Sequence, residues 1–117
     1  MAPKRILITG GGGFAGRHLR VALGDRFPEA DLLATGEREQ PGIRPLDVTD
    51  EAAAGAVMKE FRPDAVIHLA AISAVPAANR DAGRAWRVNL GGTGRLARAV
   101  LEFAPDAFFL FVSSAAV

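Results

Sequence analysis

Ile6-Leu7-Ile8-Thr9-Gly10-Gly11-Gly12-Gly13-Phe14-Ala15-Gly16 carries the chain from an apolar run into a glycine cluster, and an amphipathic pattern starts directly after it. Physically this is a buried strand, a tight turn and a helix N-terminus. The first backbone N–H groups of a helix have no intrahelical acceptor and lie at the positive end of its dipole, so they form an anion site. Glycine is needed where a side chain would hold a pyrophosphate away from those groups. The stretch therefore points to a bound dinucleotide.

Outward from this loop the chain alternates between two kinds of segment. The uninterrupted apolar residues before the glycines suit a strand covered on both faces, as in a parallel sheet. Ala15, Leu19, Ala22 and Leu23 then recur on one face of a helix that Phe27-Pro28 closes. Asp31 to Thr35 reads as a second strand, with Gly36-Glu37-Arg38 at its end. Pro41-Gly42 signals a turn, and Ile43 to Val48 a short third strand. Thr49 is the expected N-cap of the next helix, with Asp50 and Glu51 in its first turn and Ala54, Val57, Met58 and Phe61 on its apolar face. Pro63-Asp64 ends that helix before a fourth strand, Ala65 to Ala71.

After an aperiodic stretch from Ile72 to Arg80, a long helix is expected from Asp81 to about Phe103. Its interior glycines Gly91, Gly92 and Gly94 each cost roughly 1 kcal/mol relative to alanine, and close packing on the sheet would explain them. Ala107 to Val112 forms a fifth strand, followed by Ser113 and Ser114. Repeated strand–helix alternation predicts an α/β fold: a Rossmann-type doubly wound parallel sheet with helices on both faces. Trp86 and the seven phenylalanines read as core.

The bulk composition excludes several function classes. A length of 117 residues makes one domain, 1–117, which is short for a complete cofactor enzyme. A formal net charge of +1 leaves no electrostatic footprint for nucleic acid or an anionic membrane. Without cysteine there are no disulfides, thiolate metal sites or cysteine nucleophiles, and no His/Asp/Glu spacing suggests a metal. No run approaches the roughly 18 apolar residues that span a bilayer, and no signal-peptide core follows Lys4-Arg5, so a cytoplasmic location is expected.

The motifs narrow the ligand. A triphosphate-binding loop needs Lys then Ser or Thr after its last glycine; Arg17 and His18 stand there instead. At the end of the second strand an acid would bind the adenosine ribose hydroxyls and a base would suit a 2′-phosphate. Glu37 falls one step late for the acid and Arg38 is available, which favours NADP over NAD, although both charges also suit a solvated loop. His68, inside Val66-Ile67-His68-Leu69, reads as a hydrogen-bonded strand histidine rather than a general base. Asp47 suits a turn or an adenine contact equally.

These residues resemble the extended short-chain dehydrogenase/reductases, the NAD-dependent epimerase/dehydratase family that modifies nucleotide sugars. Thr9-Gly10-x-x-Gly13-x-x-Gly16 is similar to its glycine motif, so the resemblance places Gly10, Gly13, Phe14, Ala15 and Gly16 at the cofactor. Asp47-Val48 is similar to its adenine-contacting pair, His68-Leu69-Ala70-Ala71 to the segment that closes over the cofactor, and Val88-Asn89-Leu90-Gly91-Gly92-Thr93 to its asparagine motif. Leu69, Ala70, Ala71 and Asn89 thereby join the expected cofactor contacts. Phe111 to Val117 is similar to the strand end carrying the catalytic Ser or Thr, which assigns that role to Ser114, with Ser113 as fallback.

The family's Tyr-x-x-x-Lys pair is not in this chain, which has no tyrosine. The resemblance thus implies an N-terminal NAD(P)-binding portion, inactive alone, of an oxidoreductase or isomerase that is a homodimer at full length. Ala115 and Ala116 stand where the family's dehydratases place acids, which argues against dehydration. A GDP-4-keto-6-deoxy-mannose reductase type leads, with a UDP-sugar 4-epimerase next. A catalytically inactive NAD(P)-binding regulator and a scaffold role are the readings from other classes. The apolar run Phe108 to Val112, left as an exposed sheet edge, would pair with itself. The isolated chain is therefore expected to self-associate, and a clean monomer by light scattering at high concentration would refute this.

Overall fold

The computed structural model describes residues 2–48, 50–69 and 92–112. Its strands are β1 (Arg5–Thr9), β2 (Asp31–Gly36), β3 (Arg44–Pro45), β4 (Ala65–His68) and β5 (Phe108–Phe111), and its helices α1 (Phe14–Arg26), α2 (Glu51–Phe61) and α3 (Gly92–Phe103). The pairings between these strands are all parallel, in the order β3-β2-β1-β4-β5, and an isolated bridge between Gln40 and Ile43 is antiparallel. This is the expected Rossmann order, and it reverses between β1 and β4.

The pleat divides the apolar residues between two faces. Leu7 and Val66 point to one side, where they pack with Leu46, Val48, Ala54, Val57, Met58, Leu96, Ala99 and Val100 under α2 and α3. Ile6, Ile8, Ala65 and Ile67 point to the other, under Leu19, Leu23 and Phe27. Helices thus cover both faces, as the continuous apolar runs of β1 and β4 require.

Several local expectations are corrected. The buried edge of α1 runs through Gly16 with Leu19, Leu23 and Phe27 half-buried, while Ala15 and Ala22 are exposed. Leu19 and Leu23 of the expected stripe do face the sheet, and Gly16 packs closely on Gly10 and Gly11. Asp50, not a first-turn residue, is the N-cap of α2: its carboxylate accepts the Ala53 N–H at 3.1 Å, and its charge complements the helix dipole. Thr49 lies outside the described residues. Strand β3 is only two residues long, although the Leu46 N–H still donates to Gly36 O at 2.8 Å and the Leu46 and Val48 side chains are buried.

Gly94 is exposed with open space around it, so close packing does not explain that glycine. Nor are the phenylalanines core. Phe14 is 73% and Phe108 64% exposed, Phe103 and Phe111 are also exposed, and Phe27, Phe61 and Phe109 are only half-buried. Trp86 lies outside the described residues, as does the first part of the helix expected from Asp81. No helix among the described residues is long and apolar enough to cross a membrane.

Leu96 joins α3 to the main core and is fully buried. Leu96→Ala is expected to cost about 2–5 kcal/mol through lost transfer energy and a cavity. Val21→Ala, at a position 67% exposed, is expected to stay within about 0.5 kcal/mol of the parent. Urea denaturation of the two variants checks both.

Candidate functional site

The candidate site lies at the carboxyl ends of β1 and β4, on either side of the switch in strand order. Thr9 ends β1, and Gly10 takes φ +73, which starts the turn. Gly11 N–H then donates to Thr35 O at 2.9 Å, pinning the loop to β2. Gly13 caps α1 without a side-chain bond, and the first intrahelical hydrogen bond runs from Arg17 N–H to Gly13 O at 2.9 Å. The N–H groups of Gly12, Phe14, Ala15 and Gly16 consequently have no acceptor among the described residues. Converging donors at the positive end of a helix are the elements of an anion cradle.

The glycines serve different ends. A Cβ on Gly16 would lie 2.5 Å from Gly10 O and 2.6 Å from Gly11 Cα, so the close approach of α1 to the loop allows no side chain there. A Cβ on Gly13 would meet only Gly10 O, at an ordinary 3.7 Å. The folded chain tolerates a side chain at Gly13, and what glycine keeps open there is the space outside the loop. Gly11 is not a free turn position, since a Cβ there would lie 2.8 Å from Ala34 Cβ, whereas at Gly12 it would meet only the movable end of the Gln40 side chain, at 3.0 Å from Oε1. The loop is therefore pressed against β2 and overlaid by Gln40, a residue for which the sequence carries no signal.

Thr9, His68 and Thr93 form a hydrogen-bonded chain across the base of this site. Thr9 Oγ1 lies 2.6 Å from His68 Nδ1, and His68 Nε2 lies 3.1 Å from Thr93 Oγ1. Leu69 N–H donates to Thr9 Oγ1 at 3.2 Å and to Thr9 O at 3.0 Å. Since Thr9 Oγ1 already accepts from Leu69, donating its own proton to His68 Nδ1 is the one arrangement that gives that proton an acceptor among the described residues. His68 then carries its proton on Nε2 and donates to Thr93. The imidazole is 1% exposed, and burial pushes its pKa down to about 4, so it is neutral near pH 7. As the sequence suggested, His68 is a hydrogen-bonded strand histidine. It ties the ends of β1 and β4 to the start of α3.

Phe14 is exposed and packs edge-on against His18, with ring centroids 4.5 Å apart. Arg38 is exposed on the loop after β2 and makes no ion pair or hydrogen bond among the described residues. Asp47 O accepts the Asp50 N–H at 3.0 Å, closing a turn, while the Val48 side chain lies in the main core and leaves only its backbone for a ligand. Leu69 is half-buried behind the glycine loop. Ala70, Ala71, Asn89 and Ser114 lie outside the described residues.

A sequence model described as the NAD dependent epimerase/dehydratase family matches residues 6–117. The chain belongs to this family. Among its relatives, the GDP-6-deoxy-D-mannose reductase of Pseudomonas aeruginosa is 35% identical over 111 residues, which cover 95% of this chain and 34% of that enzyme. The L-threonine dehydrogenase of Clostridium difficile is similar with a TM-score of 0.85 and 30% identity, over 97% of this chain and 37% of that one. The UDP-glucose 4-epimerase of Brucella ovis, solved in complex with NAD, gives 0.83 and 28%, over 96% and 36%. The chain thus spans roughly a third of the length of the curated relatives it matches.

The neutral His68 makes stability depend on pH. An unfolded histidine titrates near 6.5 and the native one at about 4, so in between the unfolded chain binds more protons. Stability from this group is full above pH 6.5 and falls as pH drops towards 4. Between pH 7 and 5 the loss is expected to be about 1–2 kcal/mol. Urea midpoints at the two pH values test this against His68→Gln, which should lack that loss; equal pH responses would refute it.

Proposed function

We propose that this chain is the N-terminal cofactor-binding portion of an NAD(P)-dependent nucleotide-sugar enzyme, most closely of the GDP-4-keto-6-deoxy-mannose reductase type. The observation that carries the reading is the set of N–H groups on Gly12, Phe14, Ala15 and Gly16 without an acceptor among the described residues, opening at the strand-order switch beside a Gly13 that has room for a side chain. A pyrophosphate satisfies those donors without any lysine.

In this reading Gly10, Gly13 and Gly16 let the pyrophosphate approach, and the N–H groups of Phe14 and Ala15 bind it. Arg38 takes an adenosine 2′-phosphate, which favours NADP over NAD. Asp47 and the Val48 backbone meet the adenine, while Leu69, Ala70, Ala71 and Asn89 close over the nicotinamide half. When bound, the nicotinamide supplies hydride exchange at its C4. Ser114 hydrogen-bonds the sugar oxygen whose charge develops, and a downstream Tyr-x-x-x-Lys pair exchanges its proton. Ala115 and Ala116 hold no group that could eliminate water, which supports a reductase, with a UDP-sugar 4-epimerase as the nearest alternative. The full-length protein is read as a cytoplasmic homodimer.

Titration with NADPH and NADH tests the reading. Gly13→Val should cost stability no more than about 1 kcal/mol, the scale of a poorer N-cap, yet weaken cofactor binding at least about tenfold, since it fills only the outer space. Arg38→Ala should weaken NADPH and spare NADH. In the full-length protein, Ser114→Ala should lower kcat by about 100- to 1000-fold. Failure of the well-folded protein to bind either nucleotide at millimolar concentration would refute the proposal.

A further inference from the structure

In a dinucleotide-binding sheet an acid at the end of the second strand usually meets the adenosine ribose hydroxyls. Here β2 ends at Gly36, one position before Glu37. A Cβ on Gly36 would lie 3.9 Å from Gly12 N, so a side chain at this position would leave β2 beside the glycine loop. The Gly12 N–H it would approach has no acceptor among the described residues. That same Cβ would lie 3.2 Å from Ile43 Cγ2, and Ile43 is buried. Ile43 therefore takes part of the space that an acid at position 36 would need.

Another side chain reaches the same glycine from the segment after β2. Gln40-Pro41-Gly42-Ile43 is a β-turn closed by the Ile43 N–H, which donates to Gln40 O at 3.0 Å. Pro41 takes its second position, and Gly42, with φ +77, supplies the left-handed third. Ile43 anchors the turn. A Cβ on Gly11 would lie 3.4 Å from Ile43 Cδ1, so this side chain packs against the glycine loop and the end of β2 together. The turn holds the Gln40 amide over Gly12, with Oε1 at 3.0 Å and Nε2 at 3.1 Å from where a Cβ on that glycine would stand. The Gln40 side chain is exposed and makes no hydrogen bond among the described residues. A neutral amide thus borders the glycine loop where the strand end offers no carboxylate.

We propose that Gln40 recognises the adenosine ribose of the bound nucleotide, in place of the acid that Gly36 does not provide. The inference rests on the proposed dinucleotide function and names the residue that reads the 2′ position. A carboxylate accepts from ribose hydroxyls but repels a 2′-phosphate. A carboxamide serves both, since Oε1 accepts from a hydroxyl and Nε2 donates to a phosphate oxygen. The two atoms are almost equally close to Gly12, and a half-turn about the last side-chain bond presents either one to the ligand. Being neutral, Gln40 leaves Arg38 as the charged partner of the phosphate.

Isothermal titration of the parent, Gln40→Ala and Gln40→Glu with NADPH and NADH tests this, with urea midpoints as the control for folding. Gln40→Ala should weaken NADPH about tenfold, the scale of a lost hydrogen bond to a charged group, and NADH about threefold, at an unchanged midpoint. Gln40→Glu should separate the two nucleotides: NADPH weakens at least about tenfold, while NADH binds no more weakly than to the parent. A merely structural role for Gln40 would move both nucleotides together and leave their ratio alone. Parent-like binding of both by Gln40→Ala, or equal weakening of both by Gln40→Glu, would overturn the inference. If Gly13→Val still weakens binding in that case, the dinucleotide function stands and only the role of Gln40 falls. Failure of the folded parent to bind either nucleotide would remove both.

Discussion

The close approach of α1 to the glycine loop is the constraint on which the functional end of the molecule depends. With no side chain at Gly16, the first turn of α1 settles onto Gly10 and Gly11, and Gly11 in turn settles onto Ala34 of β2. Backbone contacts of this kind fix where the first turn of α1 sits relative to the loop. Ala22 and Val21 are exposed, while Leu19 and Leu23 carry the apolar contact of the helix with the sheet. The free N–H groups of the first turn lie along the helix axis, so their aim depends on where that turn sits and not on which face the helix buries.

The opposite wall depends on a second device, the neutral Thr9–His68–Thr93 chain. Polar groups buried at the junction of two strands and a helix are tolerable only when each finds a partner, and no buried side-chain polar atom among the described residues lacks one. Keeping His68 neutral is what makes the network self-consistent: an imidazolium would donate from both nitrogens and displace the Thr9 proton from its acceptor. Burial supplies that neutrality, so the apolar surroundings of β4 and the hydrogen-bond pattern at its end require each other.

The fold was legible because the signals that carry it are long-range patterns of one kind. Continuous apolar runs at β1 and β4, and alternation with helical segments, leave few topologies. Gly10, Gly13 and Gly16 were legible from spacing. What the sequence hid depends on contacts between segments. Gly11 looks like any turn glycine until β2 is placed behind it, and Gln40 has no mark that sets it over Gly12. Thr49 and Asp50 are both good caps, and only the entry angle of the chain decides for Asp50. The phenylalanines misled for a related reason. Aromatic residues indicate burial only if something covers the face they share, and the register puts Phe108 and Leu110 opposite Ala65 and Ile67, on the α1 side, away from α2 and α3.

The two faces of the sheet therefore contribute unequally to the site. The α2/α3 side holds the larger core, and through Leu96, Ala99 and Val100 that core fixes α3. Thr93 lies one turn before Leu96, so its hydrogen bond with His68 is anchored to the best-packed part of the molecule. From His68 the connection reaches Thr9, the residue from which the glycine loop departs. The loop is thus supported from below by the main core, while α1 rests on a smaller set of apolar contacts and on the glycine contacts at its first turn. Such an arrangement ties the start of the loop to the larger core and leaves α1 with the smaller apolar contact.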